Sequence, residues 1–323
     1  MDSGDSRVTG GVYSVSDAIS IEKLNHTFGI TRGGQGELVF ASGPGGLVIA
    51  RISNAQASAT VALQGAHLLE WTPRGQRPVI WLSKDATFAP GKSIRGGIPI
   101  CWPWFGAHAS EADYPAHGFA RTAPWQVTAA STLDDGATQL RLALPENETT
   151  RALWPHATPV EYTLTVGRQL QLALLTRNKG HRDVTLSQAL HTYFMVDDVH
   201  SACVTGLDGY NYLDKVQNFA RQQQQGTIHF NAEVDRVYLD APGDCLIHDP
   251  GLKRCIRIRK QGSASTVVWN PWQEKSQQMG DMGEQGYQTM LCVESANAAD
   301  DAVTIAPGGE HCLRVRYDVE PDG

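Results

Sequence analysis

The sequence is short of several things, and each shortage narrows the field. No apolar run approaches the roughly 18 residues that a membrane-spanning helix needs, so no membrane association is expected. Basic residues are in deficit, with 27 Lys and Arg against 34 Asp and Glu and a net charge of −7. A phosphate backbone is bound by a basic surplus, so no nucleic-acid partner is expected. A small phosphorylated molecule stays open, because a few local cations can hold it whatever the global sign. Cysteine is sparse: Cys101, Cys203, Cys245, Cys255, Cys292 and Cys312 are scattered, with none at C-x-x-C spacing. A zinc cluster or disulfide framework is thereby disfavoured, and reduced, mostly buried thiols in a cytoplasmic protein are expected. The first 17 residues lack a basic start followed by an apolar stretch, so they do not read as a signal peptide.

The usual motifs are missing as well. There is no G-x-G-x-x-G after a strand, no G-x-x-x-x-G-K-[ST], no G-x-S-x-G and no H-E-x-x-H. His26, His67, His156, His181, His229, His248 and His311 show no metal-ligand spacing. Neither a metal nor an organic cofactor is expected.

What is present is punctuation and alternation. The 323 residues include 32 Gly and 16 Pro, which favours many short elements joined by turns. Length alone would allow two domains, but no Pro/Ser/Gly linker divides the chain and no internal repeat occurs. The reading is a flexible tail over 1–24 and one domain over 25–323. The clearest strand pair begins at Val160. Val160, Tyr162, Leu164 and Val166 alternate with Glu161, Thr163 and Thr165, and after Gly167 the residues Leu170, Leu172 and Leu174 alternate with Gln169 and Gln171. That is a hairpin with one apolar face. Short strands also fit Leu47–Ile52, Ala59–Leu63, Val79–Leu82, Trp125–Ala129, Gln139–Leu144, Val184–Phe194, Cys255–Arg259, Thr266–Trp269, Gln288–Glu294, Ala302–Ile305 and Cys312–Val319. Helical stretches are few: Pro145–Leu153 and Ile19–Phe28 are the candidates. Strands at close spacing without helices between them predict an all-β, antiparallel sandwich or barrel.

Five segments carry possible chemistry. Lys92–Gly106 reads KSIRGGIPICWPWFG. Its glycines allow backbone to approach a ligand, Arg95 offers a donor fork for phosphate or vicinal oxygens, and Trp102, Trp104 and Phe105 are flat faces for a sugar ring. A packed loop with core aromatics explains the same residues. In PAHGFAR, His117 sits in a turn and Arg121 suits either a phosphate or a surface carboxylate. Counted by twos along Val184–Phe194, His191 lies opposite the apolar stripe of Val184, Leu186 and Leu190, facing a polar concavity or solvent. An imidazole there is a general acid/base candidate or a hydrogen-bonded strand histidine. In QTMLCVES, Glu294 shares a face with Met290 and Cys292, at an exposed strand end or in a cleft where burial would raise its pKa. Asp235, after a candidate short strand in FNAEVDRVY, could hold sugar hydroxyls or cap a turn.

Taken together, SIRGGIPICWPWFG, PAHGFAR, LHTYF, VVWNPW with the nearby EKS, and CVESAN resemble the D-hexose-6-phosphate mutarotases, a branch of the aldose 1-epimerase superfamily. The resemblance runs from about Gln64 to Gly309 in the family's order. It implies a galactose-mutarotase-like β-supersandwich and interconversion of the α and β anomers of a hexose 6-phosphate, most simply glucose 6-phosphate. It also implies His191 and Glu294 as the catalytic pair, and Arg95, His117, Asp235 and Gln64 as substrate-binding residues. Lys92, Arg95 and Arg121 are the candidates for the phosphate, and a monomer is expected. Chemically, a base would remove the C1 hydroxyl proton while an acid protonates the ring oxygen, and rotation about C1–C2 would precede reclosure. A non-catalytic sugar or sugar-phosphate binding protein on the same scaffold would need the aromatic loop and cations without the His/Glu pair. A bare β-rich interaction module would need neither.

Overall fold

A computed structural model describes residues 20–32 and 35–322. Most of the expected tail, residues 1–19, lies outside the described residues. Ser20 caps the helix Ile21–Phe28, its hydroxyl accepting from the Lys23 N–H, and Leu24 is buried against the core.

The architecture is antiparallel throughout its named strand pairs. A five-stranded meander runs from Ile30 to Pro73, a nine-stranded sheet is built around Leu170–Arg177 and Glu310–Pro321, and an eight-stranded sheet is centred on Met290–Asn297. The Val160–Val166/Leu170–Arg177 hairpin forms as its alternation dictates, with Leu164 opposite Leu172 and Tyr162 opposite Leu174. Those four side chains point into the main core, which also takes Tyr317 from the same sheet, Trp71, Phe194, Val268, Leu291 and Val293 from the other two, and Trp125 from a connection. Phe194 of the eight-stranded sheet meets Tyr317 of the nine-stranded sheet edge-on at 5.1 Å. The expected all-β antiparallel sandwich is therefore the observed one. Among the described residues no helix is long and apolar enough to cross a membrane.

Several local expectations need correction. Val184–Phe194 is three short strands, not one. Val184–Leu186 pairs with Val303–Ile305, whereas Gln188–Leu190 and Tyr193–Met195 both pair with Met290–Asn297. The change of partner occurs at Ser187, whose N–H donates to the Pro103 carbonyl and whose hydroxyl accepts from the Phe105 N–H. Val79–Leu82 makes only isolated bridges at Ile80 and Leu82. Asp235 lies inside the strand Val234–Tyr238 rather than after one. The helical stretch expected at Pro145–Leu153 is present as the helix Glu148–Leu153, capped by Asn147, whereas Trp272–Gln278 forms a helix that periodicity did not suggest. All six cysteines are free, and Cys101, Cys245, Cys255 and Cys292 are buried.

Candidate active site

The eight-stranded sheet is covered on both faces. On Met290–Asn297 every residue is buried, with Leu291 and Val293 in the main core and Met290, Cys292 and Glu294 on the opposite face. Strand pairing decides what joins them there. Leu190 opposes Ser295 and Tyr193 opposes Cys292, so the same register carries His191 opposite Glu294. On the other side Cys292 opposes Trp269, and Trp269 opposes Asp235. One face of the sheet thus presents His191, Tyr193, Cys292, Glu294, Trp269 and Asp235. Two apolar patches flank this polar centre: Cys101, Ala189, Val237, Val267 and Ala296 on one side, and Trp81, Met282 and Met290 on the other. Thr192, between His191 and Tyr193, points the opposite way and shares a 2.6 Å hydrogen bond with the Tyr317 hydroxyl. That bond across the core holds the turn of chain carrying His191.

His191 Nδ1 stands 3.4 Å from Glu294 Oε1, with both side chains nearly shielded from solvent. Among the described residues neither His191 Nδ1 nor Glu294 Oε2 has a hydrogen-bond partner. Two unpartnered polar atoms at this depth are costly unless a ligand satisfies them. Burial favours the neutral form of each group. It drives the Glu294 carboxyl well above its ordinary range, opposed by the Lys215 charge and reinforced by Asp235. It drives His191 well below its ordinary range, with His117, Arg121 and Arg95 adding to the effect. A carboxyl and an imidazole within proton-transfer distance, both near neutrality, can exchange one proton with a substrate's two oxygens.

His117 approaches from the loop after Trp102, its ring centroid 5.9 Å from that of His191. The Gly106 N–H donates to His117 Nδ1 at 3.3 Å, which leaves Nε2 to carry the hydrogen of the neutral ring. Burial, with the charges of Arg121, Lys215 and Arg95, lowers its pKa to about 3. His117 is therefore a neutral donor. Its backbone is left-handed at φ 66°, and the next residue must be glycine: a Cβ on Gly118 would lie 2.0 Å from the Trp102 carbonyl oxygen.

Cations ring the pair, each already in a polar contact. Arg95 Nε donates to Asp281 Oδ1 at 2.9 Å and its Nη1 to the Tyr193 hydroxyl at 3.0 Å. Lys215 Nζ lies 3.0 Å from Asp235 Oδ2, and Lys275 approaches the same carboxylate at 3.9 Å. Burial raises the Asp235 pKa against the pull of these two lysines. Arg121 donates to the Ala116 carbonyl and lies close enough for its charge to act on His117 and His191. His191, Cys292 and Glu294 also bring one nitrogen, one sulfur and one oxygen within 4.8 Å of one another, a donor set a metal ion could use.

The structure thus brings His191, Glu294, His117, Arg95 and Asp235 together. Gln64 is apart in its bonding: its amide donates to the Ala89 and Lys92 carbonyls and accepts from the Gly91 N–H. It fastens the turn that carries Lys92. Trp102 and Trp104 belong to the main core, with ring N–H groups donating to Thr176 and to the Pro115 carbonyl, so the packed-loop reading holds for both. Phe105 alone of that trio meets the site, packing on His117 at 5.0 Å. Sequence reasoning did not single out Tyr193, Trp269, Lys215 or Asp281. Tyr193 could have been found by counting two residues on from His191; Lys215 and Asp281 lie on turns with no pattern to mark them.

An antiparallel sheet that carries a neutral imidazole and carboxyl side by side on its second face is the setting in which the comparisons with known proteins fall. The chain belongs to the aldose 1-epimerase family, whose profile matches residues 49–318. It is 41% identical over 252 residues to a protein of Escherichia coli (strain K12) provisionally named glucose-6-phosphate 1-epimerase, covering 77% of this chain and 83% of that one. A protein of Cenchrus ciliaris with the same provisional name is 35% identical over 278 residues, covering 81% of this chain and 82% of that one. A crystal structure of a provisionally assigned mutarotase from Salmonella typhimurium superposes with a TM-score of 0.83 at 34% identity, covering 93% of this chain and 99% of that one. The same fold recurs in a galactose mutarotase-like protein from Lactobacillus casei, with a TM-score of 0.65 at 15% identity over 84% of this chain and all of that one.

Proposed function

We propose that the protein is a glucose-6-phosphate 1-epimerase, interconverting the α and β anomers of a hexose 6-phosphate with His191 and Glu294 as its acid–base pair. The observation that carries this reading is the unpartnered His191–Glu294 pair, nearly shielded from solvent and ringed by cations, in a chain akin to proteins of that provisional name. In ring opening, Glu294 takes the proton of the C1 hydroxyl while His191 gives one to the ring oxygen. The aldehyde turns about C1–C2, and closure reverses the two roles. Carboxylate plus imidazolium has the same net charge as carboxylic acid plus imidazole, so opening and closure differ by one proton carried from one group to the other through the substrate. Lys215, which favours the ionised form of Glu294, biases the pair toward the opening stage. Each proton transfer of this kind is worth about 10²–10⁴ in rate.

His117, a neutral donor, polarises or orients the sugar. Asp235, paired with Lys215, accepts from hydroxyls, and this orientation lowers the entropic part of the barrier. Arg95 is the first cation for the 6-phosphate, with Arg121 and Lys92 beside it as further candidates, and Gln64 acts through the Lys92 turn. The enzyme acts as a single domain over 25–323, in the cytoplasm and as a monomer. The test is proton exchange NMR on glucose 6-phosphate at anomeric equilibrium, with glucose and galactose in parallel. Faster α/β exchange for the phosphorylated sugar alone is the expected result. Faster exchange for the free sugars alone would keep the chemistry and remove the phosphate. Line broadening without faster exchange would favour a binding protein.

A further inference from the structure

A catalytic histidine is usually oriented by a hydrogen bond to its second ring nitrogen. His191 has no such anchor: Nδ1 is unpartnered, and its approach to Glu294 is not aligned as a hydrogen bond. The ring is held by surfaces instead. It stacks on Tyr193 with centroids 4.9 Å apart and planes 9° from parallel, and Trp269 meets it edge-on at 5.8 Å. Tyr193 is itself fixed. Trp81 stacks on its other side at 5.9 Å and 18°, its N–H donates to the Gly97 carbonyl, and its carbonyl accepts from the Trp81 N–H. Its hydroxyl accepts from Arg95 Nη1 at 3.0 Å, and Arg95 Nε is bound to Asp281. No hydrogen bond among the described residues engages Arg95 Nη2.

We propose that Tyr193 is a positioning residue that sets the plane of the His191 imidazole and ties it to the occupancy of Arg95 by the substrate's phosphate. The proposal rests on the function assigned above and adds to it a path from the binding group to the acid–base group. A phosphate that draws on the guanidinium must also draw on the phenol bonded to it. The phenol is one rigid body with the face on which the imidazole lies, and a close-packed site passes such a shift on. The neutral stack thereby does what a hydrogen-bonded carboxylate would do, without placing a third charge beside Glu294.

Two variants separate the halves of the idea. Tyr193→Phe keeps the stack and deletes the hydroxyl. It should raise KM for glucose 6-phosphate about tenfold, as loss of one hydrogen bond to a charged group would, with kcat within about threefold and the pH profile unmoved. Tyr193→Leu deletes the stack and should lower kcat for glucose 6-phosphate about 100-fold, the scale expected for a misplacement of about 1 Å. A Leu variant that folds by near-ultraviolet circular dichroism yet turns over like the Phe variant overturns the positioning role. A reporter independent of turnover is the ¹⁵N signal of the His191 ring during titration with inorganic phosphate. The signal should shift in the wild type and stay still in Tyr193→Phe. An unmoved wild-type signal, or equal shifts in both proteins, overturns the link to Arg95. Absence of epimerase activity with the phosphate-dependent shift intact would instead remove the function and leave the path standing.

Discussion

Replacing Glu294 by Gln should make the protein more stable as it destroys its chemistry, and the gain should grow with pH. Glu294 is 1% exposed, its Oε2 has no partner, and burial raises its pKa well above 4.5. In the unfolded chain the carboxyl ionises near its ordinary value. Above that pH the unfolded state has lost a proton that the folded state keeps, so wild-type stability falls as pH rises, until the folded group also ionises. The slope for one proton is at most about 1.4 kcal/mol per pH unit, which for a chain of this size is about 2 °C in Tm per unit. His191 contributes the opposite slope: its depressed pKa means stability is lost as pH falls below about 6.5. Taking Glu294→Gln minus wild type largely cancels the histidine and leaves the carboxyl. The assay is calorimetric or fluorescence-detected melting of both proteins at half-unit steps from about pH 4.5 to 8. The Tm difference should widen with pH while anomer exchange drops about 10²–10⁴-fold at every pH. A Tm difference that is flat across this range would refute the buried, proton-holding carboxyl. Unchanged turnover in the folded variant would refute its role as base.

Other perturbations read other parts of the site. His191→Asn should lower kcat by about 10²–10⁴ with KM for the sugar phosphate little changed, measured by the same exchange experiment. Asp281→Asn loosens the Arg95 guanidinium and should raise KM for glucose 6-phosphate about tenfold with kcat little changed; an unchanged KM would place Arg95 away from the phosphate. Gly118→Ala puts a Cβ against the Trp102 carbonyl at a φ of 70°. It should cost at least about 1–3 kcal/mol in denaturant unfolding and displace His117.

Much of the fold was legible because its signal is local. The hairpin from Val160 to Arg177 follows from alternation alone, and its register in the structure is the one the apolar face requires. Legibility failed where the chain is buried on both faces. Met290–Asn297 has no exposed residue, and Ser265–Asn270 is likewise buried throughout, so neither shows polar alternation to mark its ends. It failed again where one stretch serves two sheets. From Val184 to Leu190 only Gln188 interrupts the apolar stripe, yet the pairing partner changes at Ser187 because a distant loop, Pro103 to Phe105, bonds there. Information of that kind is carried by residues about eighty positions away, and no window on the local sequence contains it.

The site shows the same division. His191 and Glu294 were recognisable as residue types in motifs, and period-two counting correctly set Glu294 beside Cys292. What counting could not supply is that the two strands meet with His191 opposite Glu294, since register is a property of the pair. Nor could it supply the cover. A histidine facing away from the main core was expected to meet solvent or a polar concavity, and the space it meets is narrow: Trp81 and Met282 belong to the apolar patch on one flank, and the loop through Phe105 brings His117 against it. That enclosure converts two ordinary side chains into a pair with opposed pKa shifts. Without it Glu294 would be an ionised surface carboxylate and His191 a half-protonated imidazole, each bonded to water. The chemistry therefore depends on the apolar residues that exclude water around the pair as directly as on the pair itself, and those residues carry no signature in the sequence beyond being hydrophobic.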